Sequence, residues 1–547
     1  MLVTNWRNVY GAVSEPNLES KQTQATQMQK LILVDLQFGT AGLRAEMGAG
    51  FARMNSLTVI QTSQGLADYL LGKHPDAAVA GVVIGHDARH NSRKFSELAA
   101  AAFSFRGIKV WWYEASVHTP LVPFAVATLK AAGGVMITAS HNPAKDNGYK
   151  VYASNGCQIN TPADLEISAC IARNTKPSTW NFLEDNTLKE PILSRIKNQY
   201  IQSVEKSVMF SGKPDDVPEF VYTPMHGVGL KYMCDALNST GMTNAMTVVL
   251  DQAYPDPKFP TVKFPNPEEK GALDRAIATA DKNRIPLILA NDPDADRFAV
   301  AEKIAGRWHQ FTGDQIGVLL GYHCFQRMDT VEEGVDYMLT STVSSQMLSF
   351  IAAEEGFSVA ETLTGFKWLG NRTLDLRKAG KRVHFAYEEA LGYMFPEVVL
   401  DKDGVTTAVN FLKAVSAWGS PYSMLQQLYE RYGYFETMNT YWKAAEVTLT
   451  KKIFKIIRSH GIPYPKSLGN RLVSRWRDLT IGYDSATADH VPELPTSKDE
   501  MITCWLSEIS SDQGIRFTIR ASGTEPKIKS KLKSSLLWTG KRMSDAN

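Results

Sequence analysis

Three aspartates at alternate positions give the strongest chemical signal in the sequence. They are Asp292, Asp294 and Asp296. The apolar run at residues 285–290 predicts a buried strand, and carboxylates at i, i+2 and i+4 of the turn after it can converge on one hard cation. An EF-hand loop starting at the first aspartate would need glycine and glutamate where Arg297 and Lys303 stand. A solvated acidic turn is the alternative, but the buried strand favours a metal site, with magnesium preferred because three carboxylates leave room for phosphate oxygens and water.

A serine stands at the end of another predicted strand. Residues 135–139 are largely apolar, and Ser140 and His141 follow them. Because sites in open α/β sheets form beyond the carboxyl ends of strands, Ser140 is placed to act as a nucleophile. Neighbouring side chains on an extended chain point in opposite directions, so we do not expect a simple serine–histidine pair. On this segment alone, a turn capped by Ser140 ahead of Asn142 and Pro143 is the better interpretation.

Two further loops carry polar residues after predicted strands. Glu388 and Glu389 follow a strand expected at 383–387 and could bind sugar hydroxyls, although a surface pair at a helix start is the better interpretation of that segment alone. Residues 520–527 follow a strand expected at 515–519. Small residues bracketed by arginine and lysine can offer N–H groups, hydroxyls and two cations to a phosphate, and an ordinary polar turn is the alternative.

The elements that must position these loops alternate between strands and helices. Apolar runs separated by helical patterns recur in three stretches, beginning near residues 81, 220 and 334, which favours mainly parallel sheets. From about residue 434 the strands sit among longer polar connections. We therefore predict three tandem α/β domains with mixed, mainly parallel sheets and a C-terminal α+β domain around a central cleft. The expected bounds are 1–212, 213–312, 313–433 and 434–547, with candidate linkers at 211–214 and 309–314.

Composition supports a globular protein of several domains. The chain has 547 residues, and at roughly 150 residues per domain this length suggests three or four domains. The 59 basic and 57 acidic residues give a formal net charge of +2, so we expect no nucleic-acid or membrane-surface partner. Five scattered cysteines without a CxxC pair argue against a disulfide framework. With neither a long apolar stretch nor a secretory signal, we predict a cytoplasmic protein.

The four loops, in this order and one to each predicted domain, resemble those of the α-D-phosphohexomutase superfamily. The resemblance covers nearly the whole chain. Residues 38–44 (FGTAGLR), the continuation of the serine loop at 145–150 (KDNGYK) and residues 365–368 (GFKW) are similar to one branch of it. That branch contains phosphoglucomutase-2, which acts as a phosphopentomutase, and glucose-1,6-bisphosphate synthase.

The resemblance implies a reversible phosphoryl shuttle. Ser140 would carry the phosphoryl group beside one Mg²⁺ per subunit, which Ser140 and the three aspartates would hold. A sugar monophosphate would accept this group, turn over in the cleft as a bisphosphate and return its other phosphate to the serine. The implied reaction interconverts ribose, deoxyribose or glucose 1-phosphate with the 5- or 6-phosphate, and a sugar 1,6-bisphosphate serves as activator and intermediate.

The resemblance also assigns roles around the substrate. Arg44, Lys150 and Arg297 would offset the charge of the phosphoserine, and Lys150 or His141 would act as general acid and base. Glu388 would bind sugar hydroxyls, and Lys367 would contact the substrate. The phosphate that does not react would be held by Arg520, Ser522, Gly523, Thr524 and Lys527.

Two departures and two alternatives accompany this interpretation. Ala390 replaces a serine of hexose-specific relatives, which removes a sugar contact and matches the pentomutase branch. The segment before Phe38 looks shorter and more irregular than in the family. The chain after Lys529 also looks shorter, which predicts a fourth domain short of packing partners. A glucose-1,6-bisphosphate synthase is the alternative within the fold, and a catalytically weak sugar-phosphate-binding protein is the alternative of another class. We expect small-molecule sugar phosphates as partners and a monomer or weak dimer.

Overall fold

The structure is a computed structural model. It describes residues 42–180, 191–208, 217–242, 245–443, 447–461, 463–507, 514–521 and 527–536. The strands of these residues form four separate sheets that follow one another along the chain. We call each sheet with its helices a unit, numbered first to fourth. The bounds of the predicted domains stay predictions, and the expected linker at 211–214 lies outside the described residues.

The first unit carries a five-stranded mixed sheet. Its strands are β1 (Gly42–Glu46), β2 (Val82–His86), β3 (Val110–Trp112), β4 (Gly133–Ile137) and β5 (Asp146–Ala153). Its helices are α1 (Ser56–Lys73), α2 (Ala77–Ala80), α3 (Ser92–Phe105), α4 (Leu121–Leu129), α5 (Ala163–Arg173) and α6 (Pro191–Val208). The order across the sheet is β1-β5-β4-β2-β3, with β2 parallel to both β3 and β4. Every residue of β2 and β4 is buried, which explains why these strands are apolar apart from His86 at the end of β2.

The second unit repeats this plan with a smaller set of helices. Its strands are β6 (Phe220–Thr223), β7 (Met246–Val248), β8 (Leu287–Ala290), β9 (Ala299–Ile304) and β10 (Arg307–Gln310), and its helices are α7 (Gly229–Thr240) and α8 (Asp274–Asn283). Strand β6 runs parallel to β7 and β8, and β9 runs antiparallel to β8 and β10. Of the linker expected at 309–314, only residues 311 and 312 connect two elements, because 309 and 310 belong to the partly exposed edge strand β10 and 313 and 314 begin the next helix.

The third unit has four strands and five helices. The strands are β11 (Asp336–Ser341), β12 (Ser358–Thr362), β13 (Arg382–Glu388) and β14 (Gly392–Met394). The helices are α9 (Gly313–Gln326), α10 (Met347–Glu355), α11 (Phe366–Lys378), α12 (Gly404–Trp418) and α13 (Pro421–Tyr432). The order is β12-β11-β13-β14, with β11 parallel to β12 and β13. Strand β11 therefore ends beside β13, which leads into the glutamate loop, and β12 ends on the other side of β11.

The fourth unit is built on an antiparallel sheet of seven strands. They are β15 (Tyr434–Lys443), β16 (Ser467–Leu468), β17 (Arg471–Asp478), β18 (Tyr483–Asp484), β19 (Met501–Ser507), β20 (Gly514–Ala521) and β21 (Lys527–Leu536), with one helix, α14 (Val447–Ser459). Strand β21 pairs with both β20 and β15. The chain beyond Lys529 thus continues a long paired strand up to Leu536, and the expectation of a unit short of packing partners stays a prediction. Residues 537–547 lie outside the described part.

The predicted fold class is confirmed: three α/β units with mixed sheets precede an antiparallel fourth. One apolar core runs through the first three units, and the fourth has a core of its own around Phe454. Asp401, which is fully buried, accepts hydrogen bonds from Tyr152 (2.9 Å) and Gln158 (2.8 Å) and so ties the third unit to the first. None of the helices in the described residues is both long and apolar enough to span a membrane.

Candidate functional site

The serine loop and the aspartate loop meet at the ends of their strands. Ser140 follows β4 and Asp292 follows β8, and both residues are buried. The Ser140 hydroxyl donates to Asp292 Oδ2 at 2.8 Å. The two loops come from different units, so this contact closes the boundary between the first and the second. Ser140 thus faces the three carboxylates, as the nucleophile interpretation requires, and does not merely cap a turn.

The three aspartates form a buried, convergent set of oxygen atoms. One carboxylate oxygen of each lies within 4.8 Å of the others, and all three side chains are buried. Asp294 Oδ1 and Asp296 Oδ1 are buried and have no hydrogen-bond partner. Burial and the charges of the other two aspartates raise the pKa of Asp292 well above its usual value. Unpartnered carboxylate oxygens directed at one point suit a hard divalent cation, and the alternative of a solvated acidic turn is wrong.

The turn that carries the aspartates is held by its own backbone and by two neighbouring side chains. Ala295 has a φ of 52°, in the left-handed region, which bends the chain so that alternate side chains converge. The Arg297 N–H donates to Asp292 Oδ1 at 2.9 Å. The Asn291 amide donates to the Arg297 carbonyl at 2.6 Å and accepts from Tyr222 at 2.8 Å. These contacts fix the carboxylates before any ligand arrives.

Two lysines face the aspartates. Lys150 Nζ lies 2.7 Å from both Asp294 Oδ2 and Asp296 Oδ2. Burial alone would lower the pKa of Lys150, but the two aspartates raise it above its usual value. Lys402, from the loop between β14 and α12, lies 3.1 Å from Asp296 Oδ2. The sequence analysis missed Lys402, although its place between Asp401 and Asp403 was a possible signal.

The structure corrects the expectation for His141. Its Nδ1 lies 3.2 Å from the Ser140 hydroxyl oxygen. The expectation assumed an extended chain, but Ser140 has a φ of 53°, so the alternation of side chains does not apply. Burial and the positive charges of Arg297 and Arg44 lower the pKa of His141 well below its usual value. The imidazole is therefore neutral near pH 7 and could accept a proton.

Two predicted arginines border the serine loop. Arg44 is exposed and donates to Asn142 Oδ1 at 3.0 Å. Arg297 donates to Asn266 Oδ1 at 3.2 Å, and its other terminal nitrogen lies 3.5 Å from His141 Nε2. Both cations thus lie beside the serine loop. Residues 38–41 of the segment before Arg44 lie outside the described residues.

A third arginine, which the sequence analysis missed, supports the serine loop from behind. The buried Arg89 guanidinium donates to the carbonyl of Ser140 (2.5 Å), of Asn142 (2.6 Å) and of Pro143 (2.9 Å). Asp87 Oδ2 accepts from Thr138 at 2.6 Å, on the strand side of the same loop. The charged residues directly after the fully buried β2 were a possible signal.

Thr119 is a second residue that sequence reasoning missed. Its hydroxyl donates to Asp294 Oδ2 at 2.5 Å, and its N–H donates to the Asp294 carbonyl at 2.9 Å. Thr119 belongs to the first unit and Asp294 to the second. It therefore holds one member of the triplet in place across the boundary between the units.

The glutamate loop gives its two carboxyls different roles. Glu389 is buried and accepts from Ser341 at 3.0 Å and from Ser344 at 3.3 Å, so it supports the loop. Glu388 ends β13, is partly exposed and accepts from the Gly365 N–H. Burial and the neighbouring Glu389 raise the pKa of Glu388 to about 7. The interpretation as a surface pair at a helix start is wrong, because a turn and β14 follow.

The remaining predicted residues lie around the glutamate loop. Lys367 is buried at the start of α11, and burial lowers its pKa. Arg520, near the end of β20, donates to Thr364 Oγ1 at 2.8 Å, one residue before Gly365. The side chains of Ser522, Thr524 and Lys527, together with Gly523, lie outside the described residues. Arg520, a described residue of the predicted phosphate loop, thus contacts the loop before α11, whose Gly365 binds Glu388.

Comparison with known protein families shows to which family this chain belongs. The family models described as "Phosphoglucomutase/phosphomannomutase, alpha/beta/alpha domain" I, II and III match residues 35–178, 198–305 and 312–432. These matches cover more than half of the chain. The chain belongs to the phosphoglucomutase/phosphomannomutase family.

Relatives that align over most of this chain indicate its branch within the phosphoglucomutase/phosphomannomutase family. It is 49% identical to the "Probable phosphoribomutase" of Schizosaccharomyces pombe, over 90% of this chain and 86% of the relative. It is 40% identical to the human "Glucose 1,6-bisphosphate synthase", over 90% of this chain and 82% of the relative. A crystal structure of a "putative phosphomannomutase" from Thermus thermophilus shares the fold, with a TM-score of 0.66, 21% identity and coverage of 91% of this chain and 95% of that one. The resemblance stated from the loops is confirmed.

In a member of this family, the buried aspartate set indicates a divalent metal. The set provides three carboxylates and the neighbouring Ser140 hydroxyl, all of them hard oxygen donors. Two cations, Lys150 and Lys402, contact it, and the Arg297 guanidinium lies 3.5 Å from the neighbouring His141. Such a site can stabilise the charge of a phosphoryl group on the serine.

Proposed function

We propose that this protein is a mutase that interconverts sugar 1-phosphates with 5- or 6-phosphates, with ribose phosphates as its main substrates. The observation that carries the proposal is the buried Ser140 hydroxyl 2.8 Å from Asp292, inside a ring of carboxylates and cations. The relative named phosphoribomutase, at 49% identity, supports the pentose. Ala390, in place of a serine that contacts hexoses, supports it too.

Phosphoryl transfer at Ser140 depends on charge neutralisation. A phosphoserine carries about −1.5 to −2 charge, which repels an incoming hydroxyl oxygen. Lys150 and Lys402 contact the aspartates and the Arg297 guanidinium lies beside His141, so these cations would lower that repulsion. Mg²⁺, which we propose is held by the three aspartates and a phosphoryl oxygen on Ser140, would supply the remaining positive charge when bound.

Proton transfer is best assigned to His141. Its Nδ1 lies 3.2 Å from the serine oxygen, within reach of the proton that moves when a phosphoryl group arrives or leaves. Lys150 donates to Asp294 and Asp296, so it acts here as a fixed cation. Arg89 holds the loop backbone, so the serine oxygen keeps its direction during both half-reactions.

The opposite end of the substrate would lie against the third and fourth units. Glu388 is placed to accept hydrogen bonds from sugar hydroxyls, and Lys367 lies at the start of the neighbouring helix. Arg520 would bind the phosphate that does not react, together with Ser522, Gly523, Thr524 and Lys527, which stay predictions from the sequence. Binding of this distant phosphate would position the reacting end of the sugar and help to exclude water from the site.

Conversion of ribose 1-phosphate tests the proposal. With Mg²⁺ and a catalytic amount of glucose 1,6-bisphosphate, we expect ribose 5-phosphate, and we expect Ser140→Ala to abolish both this product and the capture of labelled phosphate by the protein. Accumulation of glucose 1,6-bisphosphate from 1,3-bisphosphoglycerate and glucose 1-phosphate, without ribose 5-phosphate, would favour the synthase alternative, which the 40% identical relative suggests. Tight binding with neither product would favour a binding protein.

Compartment and assembly stay proposals. All five cysteines are free in the structure, which suits the reducing environment of the cytoplasm. We expect a monomer or weak dimer.

A further inference from the structure

Lys402 extends from the third unit to the aspartate loop of the second. Its ammonium lies 3.1 Å from Asp296 Oδ2. Its side chain passes over Gly392 and the Phe366 ring: a Cβ on Gly392 would lie 2.6 Å from Lys402 Cδ, and the ammonium is 5.2 Å from the ring centre. A lysine side chain has several rotatable bonds, so its position depends on how firmly its backbone is held. The residues that hold this backbone therefore affect the charge beside Asp296.

Asp401, on one side of Lys402, is held by the first unit. Its Oδ2 accepts hydrogen bonds from Tyr152 (2.9 Å) and Gln158 (2.8 Å). Its Oδ1 accepts from the Lys402 N–H at 2.8 Å. Both Asp401 and Tyr152 are buried. One buried carboxylate thus links two side chains of the first unit to the backbone of the lysine.

Asp403, on the other side of the lysine, is also held by the first unit. Its two carboxylate oxygens accept from the Tyr200 hydroxyl at 2.8 and 3.0 Å. Tyr200 belongs to α6 and is fully buried. The same carboxylate caps α12, because it accepts from the N–H groups of Val405 and Thr406 at 3.1 and 3.0 Å. Lys402 therefore lies between two aspartates that each accept from a buried tyrosine of the first unit.

The start of α12 also contacts the aspartate turn directly. The Gly404 N–H donates to the Ala295 carbonyl at 3.1 Å, and a Cβ on Gly404 would overlap the Arg297 carbonyl. The loop that carries Lys402 is therefore packed closely on the aspartate turn. A small shift of this loop would change the distance from the ammonium to Asp296.

Strand β5 is connected to both lysines of the site. Lys150 and Tyr152 are two residues apart on this strand, so their side chains lie on the same face. Lys150 contacts Asp296 directly, whereas Tyr152 contacts Asp401, which is next to Lys402. The first unit thus provides one of the two cations and supports the other.

We propose that Tyr152 and Tyr200 are positioning residues for Lys402. They fix the aspartates on either side of it and so keep its ammonium beside the aspartate triplet while the charge on Ser140 changes during the two half-reactions. Each tyrosine hydroxyl is bound to an aspartate next to the lysine, so its effect on the reaction passes through the lysine. The inference rests on the proposed function, because it assigns phosphoryl transfer to Ser140.

Tyr152→Phe and Tyr200→Phe test the inference, with Tyr149→Phe as the matched control. Each change removes one hydroxyl from a buried ring, but the Tyr149 hydroxyl lies 3.0 Å from the Ser63 hydroxyl, inside the first unit. We expect each test variant to lower kcat for ribose 1-phosphate about tenfold, as for one lost hydrogen bond to a charged group. KM should stay within about threefold, since no residue assigned to substrate binding is changed.

The Mn²⁺ affinity of the unphosphorylated protein gives a readout without turnover. An ammonium beside Asp296 weakens the binding of a dication to the aspartates, so displacement of Lys402 should strengthen it. We expect both test variants to bind Mn²⁺ about threefold more tightly than the wild type, measured by electron paramagnetic resonance, and Tyr149→Phe to match the wild type. General damage to the site would weaken the binding instead. Unchanged Mn²⁺ affinity in both test variants would overturn the inference.

Lys402→Met shows whether the tyrosines act through the lysine. In this background Tyr152→Phe should change neither kcat nor Mn²⁺ affinity any further, because residues that act through one another are not additive in a double-mutant cycle. Equal effects of Tyr152→Phe with and without the Lys402 side chain would also refute the inference. A wild-type protein that forms no ribose 5-phosphate would reject the proposed function, and the Mn²⁺ affinities would still decide the inference. They also decide it if Lys402→Met fails to fold.

Discussion

Charge balance governs the residues around Ser140. Three carboxylates, from Asp292, Asp294 and Asp296, lie among three cations: Lys150 and Lys402, which contact them, and Arg297, whose guanidinium lies beside His141. A phosphoserine adds about −2 and a bound dication adds +2, so the two together leave this balance nearly unchanged. Either one alone would place an uncompensated charge in a buried site, which is costly. The site is thus suited to hold phosphoryl group and cation as a pair.

Glu388 gives a prediction on pH. Its pKa is raised to about 7 in the folded protein, above the usual value of a glutamate, so its ionisation opposes folding as pH rises through 7. We expect Glu388→Gln to increase the free energy of unfolding at pH 8 by about 1–2 kcal/mol, after allowance for partial exposure. At pH 4.5 the carboxyl is protonated in the folded state, so the gain should vanish. Chemical denaturation at both pH values measures the difference.

The control for this prediction is the neighbouring carboxyl. Glu389 accepts hydrogen bonds from two buried serines, so Glu389→Gln should destabilise the protein at pH 8 and bring no gain. A stability gain of Glu388→Gln that is equal at pH 4.5 and pH 8 would contradict the assignment of the raised pKa.

A strand and the loop after it were predictable from the sequence where a short run of neighbouring residues indicates them. The run from Phe220 to Thr223 predicts a strand and coincides with β6, where all four residues are buried. The pattern from Glu268 to Ala280 predicts a helix, but the helix begins only at Asp274, after a turn in which Gly271 adopts a φ of 84°. An apolar period alone does not reveal such a turn.

Support for the loops was less predictable than the loops themselves. Ser140 and the aspartates follow strands, so their positions in the sequence already indicated a site. Arg89 acts on carbonyl groups more than 50 residues away, and Arg516 binds Glu361 across 155 residues. No local sequence pattern reveals such pairs, because a single sequence does not distinguish a buried arginine from a surface arginine.

The serine loop gives a prediction about its arginine support. Arg89→Lys keeps a cation but loses the planar fork that reaches three carbonyl groups, so the loop should loosen. We expect capture of labelled phosphate from glucose 1,6-bisphosphate to slow about 10²-fold, as displacement of a reacting group by about 1 Å does. The affinity for ribose 5-phosphate should stay within about threefold. A variant with weakened affinity and normal phosphate capture would show that Arg89 serves another part of the site.

The four units close into a ring around the loops. Ser140 meets Asp292 between the first and second units, Lys402 meets Asp296 between the third and second, and Arg520 meets Thr364 between the fourth and third. The ring closes where Lys498 of the fourth unit lies 3.1 Å from Asp164 of the first. Lys498 is largely exposed, and exposed ion pairs contribute only about 0–1 kcal/mol. The fourth unit is therefore held chiefly by the third.

Because the fourth unit has a core of its own, we expect it to unfold separately from the first three units. The first three units share one apolar core and the buried Asp401 contacts, whereas the fourth has its own core around the fully buried Phe454. Phe454→Ala should cost about 3–5 kcal/mol, and this loss should fall on the fourth unit alone. Asp401→Asn should leave a donor facing Tyr152 and Gln158 and weaken the first three units instead. Hydrogen exchange read by mass spectrometry, peptide by peptide, resolves the two effects. Equal loss of protection in all four units for Phe454→Ala would instead mean one cooperative body, in which β20 cannot move without disturbing the serine loop.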